Sequence, residues 1–222
     1  MNIVWKGNAY TNSCVRRGQV PQIIVNHIAS ARMSTLDDWY TNRNNKVSSA
    51  HYGISKKGDI HQYVAIERAA LANGIPHSSI KAASSLYVRS KQHNPNLYSV
   101  SIIHEGMEGE LTDEQFQACI KLHRYIQIMI QEKWGHHLPL TSDYVIGHHQ
   151  IDPIHKAACP GYKFPWGRLY EALACIPVYD ENIETIIKKL HNADLHLKRL
   201  EQRLAALEMQ ESRTDEHGEH KN

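Results

Sequence analysis

The chain has 222 residues, 41% of them hydrophobic, and a formal net charge of +2. That length suits one domain with an appendage, and a nearly balanced charge without a long basic run gives no case for nucleic-acid binding. No apolar run reaches membrane-spanning length, and Met1-Asn2-Ile3-Val4-Trp5-Lys6-Gly7-Asn8 lacks the apolar core of a signal peptide, so synthesis in the cytoplasm is expected.

Residues 1–20 read as an extended lead-in. Gln22-Ile23-Ile24-Val25-Asn26-His27 is short, apolar and β-branched, which predicts a buried strand ending at the histidine. Ser34-Thr35-Leu36-Asp37 has the spacing of a helix N-cap with an acidic third residue, predicting a helix over 34–43. Residues 50–55 and 60–64 read as two strands joined by a tight turn through Lys57-Gly58-Asp59. Ala69-Ala70-Leu71-Ala72 favours a short helical turn that Asn73-Gly74-Ile75-Pro76 ends. Residues 78–93 read as a long surface loop.

Tyr98-Ser99-Val100-Ser101-Ile102-Ile103-His104 is the most strand-like run and is expected at the centre of a sheet. Thr112-Asp113-Glu114-Gln115 is a capping box, and Phe116, Cys119, Ile120, Tyr125, Ile126, Met129 and Ile130 then recur at helical spacing. That helix should end near Trp134, with Gly135 as its cap. Pro165-Trp166-Gly167 opens a last helix reaching about Cys175.

Pro177 marks a boundary. Beyond it Ile183, Leu190, Leu197 and Leu204 fall at a, and Ile186, Ala193, Leu200 and Leu207 at d, of a short coiled coil. The expected organisation is a domain over 1–176, a linker and coiled-coil helix over 177–210, and a disordered tail over 211–222. The Leu-rich seam needs a cover, and a homodimer through this helix is expected.

The chemistry concentrates in Gly147-His148-His149-Gln150-Ile151-Asp152-Pro153-Ile154-His155-Lys156-Ala157-Ala158-Cys159-Pro160-Gly161. Pro153 and Pro160-Gly161 argue against regular structure there. Imidazole and thiolate together suit zinc, and His27 at its strand end is the natural third ligand. Three protein ligands leave the fourth position to water, which is the catalytic arrangement. Sixteen histidines are too many for abundance to mark any one of them. Of the other cysteines, Cys119 belongs on a helix's apolar face and Cys14 and Cys175 read as free thiols.

Ile24-Val25-Asn26-His27-Ile28-Ala29-Ser30, Ser49-Ala50-His51-Tyr52 and the loop over 147–161 resemble the zinc-dependent N-acetylmuramoyl-L-alanine amidases, over roughly residues 17–166. The resemblance implies an α/β fold, with a central mixed β-sheet flanked by helices and the C-terminal helix appended. It implies Zn2+ held by His27, His148 and Cys159, since the family's pattern is Gly-His followed by a variable residue. It further implies hydrolysis of the bond between N-acetylmuramic acid and L-alanine in peptidoglycan, with Lys156 steadying the oxyanion. His51, Leu71 and Asn73 fall at positions that imply substrate contact. A cell-wall enzyme without a signal peptide fits a phage or prophage endolysin released through a holin, or a mother-cell lytic enzyme.

Two positions depart from the family. Its strand Ser-Ile-Glu-His-Glu-Gly is here Ser101-Ile102-Ile103-His104-Glu105-Gly106, so Ile103 stands where the general base is expected and cannot transfer a proton. Glu105, two residues on and of the same parity, is the displaced candidate. Leu71 stands where relatives carry a groove-lining tryptophan. These departures keep open an alternative, a zinc-containing peptidoglycan-binding protein with weakened or lost catalysis.

Overall fold

A computed structural model describes residues 1–175 together with Leu197 and Leu204. In chain order the elements are β1 (Ile3–Trp5), β2 (Ser13–Val15), β3 (Ile23–Ile28), α1 (Met33–Thr41), β4 (Tyr52–Ile54), β5 (Ile60–Gln62) and β6 (Arg68–Ala70). There follow α2 (Leu86–Ser90), β7 (Ser99–His104), α3 (Asp113–Trp134), β8 (Val145–Gly147), α4 (His148–Ile151) and α5 (Trp166–Ala174). Six strands form one mixed sheet in the order β1-β5-β4-β7-β3-β8, and β2 pairs antiparallel with β6 apart from it. The α/β expectation is met, and β7 is interior as its sequence predicts.

Strand alternation explains the two faces. Ile24, Val100 and Ile102 turn to one side and pack with Leu122, Ile126 and Ile130 of α3 and Leu169 of α5. Ile23 and Val25 turn to the other and meet Ile80, Val88, Ile146 and Ile151. A third cluster joins Met33, Leu36 and Tyr40 of α1 to Ala50, Tyr63 and Ala70, with Ile103 against it. Both faces of β3 and β7 are therefore covered, as parallel strands require.

Several local readings need correction. Met33–Thr41 starts before Ser34, and Arg32 caps it without a side-chain bond, because Met33 and Leu36 set the helical phase by burial. Residues 68–70 form a strand, not a helical turn; β2 is available to pair with them. Residues 78–93 are not a surface loop: a 3-10 helix over His77–Ala82 and α2 bury Ile80 and Val88. The lead-in contains β1 and β2. Thr112 does cap α3, accepting from the Gln115 amide at 3.1 Å, but the Gln115 carboxamide donates to the Ile54 and Glu105 carbonyls instead of returning to the cap. Gly135 ends α3 in the left-handed conformation at φ 64°.

Chain contacts divide the protein into Met1–Cys175 and Ile176–Asn222. In the second unit the coiled-coil seam lies outside the described residues except for Leu197 and Leu204, which are helical and 56% and 58% exposed. Among the described residues no helix is long and apolar enough to cross a membrane.

Candidate metal centre

Parallel strands β3, β7 and β8 end on the same edge, where ligand sites in open α/β sheets arise. Asn26 of β3 is level with Gly147 of β8, so His27 and His148 emerge side by side. Their rings meet edge to face at 4.5 Å between centroids. The loop after α4 brings Cys159 to them, with Sγ 3.8 Å from His27 Nδ1. Donor atoms of His27, His148 and Cys159 all lie within 4.8 Å of one another. A tetrahedral zinc separates imidazole nitrogen from thiolate sulfur by about 3.6 Å, so the observed spacing fits that ion.

The protonation states also fit. Burial, then the neighbouring His148, hold His27 well below its ordinary pKa. Burial, then Lys156, bring His148 down to about 4. Both imidazoles are neutral, as ligands must be. Burial pushes the Cys159 thiol up, while the Ile28 amide and the Lys156 charge pull the other way. The Lys156 ammonium is thus felt at all three donors.

Neighbouring groups set the loop. His149 is not a donor to the cluster; its backbone amide and its Nδ1 both reach the Cys159 carbonyl, at 2.9 and 2.8 Å. Gly147 is required there, since a Cβ would lie 2.6 Å from the His149 ring and 2.8 Å from Pro160 Cδ. The loop is more regular than its prolines suggest, because Gly147 opens a helical turn over His148–Ile151 whose Asp152 amide donates to the His148 carbonyl.

The three donors open into a cavity of about 380 Å³. Lys156 and Leu71 line it, as do Ile103, Tyr40 and His155. The register pairs Ile103 with His27 on the adjacent strand, so an apolar residue stands beside the three donors. Glu105 does not line the cavity. It lies past the end of β7, and its Oε2 accepts from the Lys56 amide at 2.9 Å, so the structure does not bring Glu105 to the three donors.

Two expected substrate contacts are also relocated. His51 is buried, 1% exposed. The Ser101 amide donates to its Nδ1 at 3.1 Å, which places the proton on Nε2, and Nε2 donates to the Arg68 carbonyl at 3.0 Å. Arg16, drawn down to about 10 by burial, lies 2.9 Å from Nε2 and donates to the Ser99 carbonyl. His51 therefore ties β7 to β6 and has no free nitrogen for substrate. Asn73, also 1% exposed, donates to Ser99 Oγ at 2.8 Å and stands behind His27. His27 Nε2 and Asn73 Oδ1 each lack a partner within hydrogen-bond distance, yet the carboxamide favours a proton on that imidazole.

Sequence reasoning missed Tyr40 and the pair Asp152–His155. Tyr40 follows Met33 and Leu36 at helical spacing and reads as core from the sequence alone. Burial, with Cys159 nearby, holds its phenol well above the ordinary range, so it keeps a proton to donate. His155 Nδ1 lies 3.0 and 3.1 Å from the two Asp152 oxygens, and its amide donates to Oδ1 at 3.0 Å. An acidic residue three places before a histidine, with proline between, is the sequence trace of that turn.

Two imidazoles and a thiol converge on a cavity beside a lysine, a donor set that could hold a metal ion. The family pattern described as N-acetylmuramoyl-L-alanine amidase matches residues 16–162, and the chain belongs to that family. It is accordingly an amidase acting on peptidoglycan. No curated protein sequence matches it. Among solved structures, a selenomethionine derivative of AmpD superposes with a TM-score of 0.57 at 22% identity, covering 77% of this chain and 94% of that one. The N-acetylmuramoyl-L-alanine amidase LysC from Clostridium intestinale URNW gives 0.52 at 17%, covering 78% and 97%. PlyL gives 0.52 at 18%, covering 78% and 97%. At these identities the structures are evidence of a shared fold.

Proposed function

We propose that the protein cleaves the muramoyl–alanine amide with a zinc ion held by His27, His148 and Cys159. The observation that carries this is the convergence of three suitable donors, within 4.8 Å of one another, on a cavity that also receives Lys156. When bound, zinc lowers the pKa of water towards 7 and polarises a carbonyl. The chain's own residues supply the rest. Lys156 places an ammonium where negative charge develops on the carbonyl oxygen, a contribution that depends on its position in the cavity and not on proton transfer. Tyr40 offers a protonated hydroxyl on the same side as Cys159. Leu71 and Ile103 give the cavity an apolar wall.

Among the described residues no carboxylate lines the cavity, and its one lysine suits a substrate carrying carboxylates, such as a stem peptide. An endolysin-type role, attack on the wall after release from the cell in which the protein is made, is part of this proposal. Purified protein should contain one zinc per chain and release dye from labelled cell walls, and a chelator should abolish the release. Cys159→Ser should lower the zinc content sharply. Unchanged zinc in that variant, by elemental analysis, removes Cys159 from the site.

A further inference from the structure

The amidase reaction needs a group to take a proton from the attacking water, and the residue level with His27 on β7 is Ile103. The cavity narrows the choice. His27, His148 and Cys159 are its metal donors, and its remaining titratable side chains are Tyr40, Lys156 and His155. Tyr40 is buried in the cluster of Met33, Leu36 and Ala50 and, among the described residues, has no acidic partner there to orient it as a base. Lys156 serves the reaction as a cation. His155 is left, and imidazole is the side chain whose ordinary pKa lies nearest neutrality.

Its geometry suits the task. Nδ1 faces both oxygens of Asp152 at 3.0 and 3.1 Å, which fixes the proton on Nδ1 and leaves the Nε2 lone pair free. The Asp152 amide is bonded to the His148 carbonyl, so the carboxylate is anchored on the turn that carries a metal donor. The Asp152 carboxylate accepts from both the amide and the ring of His155 and is placed to support imidazolium. The His155 side chain is 70% exposed, at the rim of the cavity, where an arriving substrate meets it. Facing it are Asp152 and Lys156 from its own loop and, across the cavity, Tyr40 and the three donors.

We propose that His155, oriented by Asp152, is the general base of this amidase, an assignment that rests on the reading of the function above. The water oxygen bonds to the lactyl carbonyl carbon while one water proton passes to His155 Nε2. The carbonyl electron pair moves onto oxygen, next to the Lys156 ammonium. Collapse breaks the C–N bond, the proton on Nε2 passes to the departing alanine nitrogen, and the imidazole is neutral again. The other water proton leaves the new carboxylic acid to solvent.

The test is His155→Gln in the zinc-loaded full chain, with muramoyl–alanine cleavage followed by product analysis. We expect kcat to fall about 10²–10³-fold with KM and zinc content unchanged, and the acid limb of kcat/KM to disappear. Because the site is exposed, imidazole in the buffer should restore part of the activity of His155→Ala. A second readout does not depend on turnover: nitrogen NMR of the metal-free protein, assigned by difference from His155→Gln, should show the Nδ1–H tautomer. Cleavage within about fivefold of wild type in His155→Gln, a fall in kcat that tracks lost zinc, or an Nε2–H tautomer each overturns the assignment while leaving the amidase reading intact. Absence of cleavage by the wild-type protein overturns that reading, and the base with it.

Discussion

Acidification should unfold this protein well above the pH at which its carboxylates titrate. Three buried histidines outside the candidate metal centre are held neutral. Burial, then Arg16, bring His51 to about 3. Burial, then His123, bring His104 to about 3. Burial brings His123 to about 4, against an opposing bond to the Cys119 carbonyl. The last two belong to one chain of bonds. His104 Nε2 donates to Asn26 Oδ1 at 3.1 Å, Asn26 Nδ2 donates to His123 Nε2 at 3.2 Å, and His123 Nδ1 donates to the Cys119 carbonyl at 2.8 Å. A proton added to His123 Nε2 would face the Asn26 amino group, and one added to His104 Nδ1 would find no acceptor.

The sign follows from these depressed values. In the unfolded chain each histidine titrates at about 6.5, so below that pH the unfolded state binds more protons and stability falls. It is fully present above about pH 7 and declines until the folded values of 3 to 4 are reached. At pH 5, about 1.5 units below the unfolded value at about 1.4 kcal/mol per unit, each histidine costs about 2 kcal/mol. Three together approach about 6 kcal/mol, comparable with the whole stability of a typical domain. Urea unfolding at pH 7.5 and 5.0 measures the difference. His123→Gln should remove about a third of the pH slope. A wild-type difference below about 2 kcal/mol, or an unaltered slope in His123→Gln, would refute the reasoning.

Other outcomes are expected from single changes. Ile103→Glu places a carboxylate beside His27 and should restore activity to His155→Gln by about 10²-fold, read by product release; no recovery means that the β7 position cannot reach the attacking water. Gly147→Ala forces the His149 ring and Pro160 apart and should weaken zinc binding about 10–100-fold in a competition titration with a chelator. The heptad after Pro177 should make the full chain a dimer at micromolar concentration and a chain ending at Pro177 a monomer, by sedimentation; a monomeric full chain leaves the seam for another partner.

That His27, His148 and Cys159 would come together was legible because the signals are local. His27 ends a β-branched run, and His148 and Cys159 share one proline-punctuated loop, so the residue types and the order of elements sufficed. What failed was reading the direction of a side chain beyond regular structure. Glu105 keeps the parity of Ile103, but parity holds only while the strand continues, and the β7 pairing ends at His104. Once past it, the carboxylate meets the Lys56 amide in the β4–β5 turn. His51 and Asn73 were misplaced for a related reason. Polar side chains near a site read as contacts, and only the packing reveals that backbone carbonyls and Ser99 have already claimed them. Residues 68–70 formed a strand against their helical composition because a partner strand, remote in sequence, was available.

The same packing accounts for what the cavity contains instead. Ile103 of β7 and Ala50, just before β4, are apolar, so neither presents a titratable group to the donors. Tyr40 of α1 packs against Ala50 and brings a hydroxyl to that wall, and the loop between α4 and Cys159 brings Lys156 and His155. Among the described residues the titratable groups around the three donors are therefore carried by one helix and one loop, on a sheet that supplies His27 and the scaffold for His148. A loop base is less rigidly placed than a strand base, and the Asp152 carboxylate, bonded to both the amide and the ring of His155, is what restricts it. It follows that Asp152→Asn should lower kcat more than it changes KM, since it releases the imidazole without altering the wall that receives the substrate.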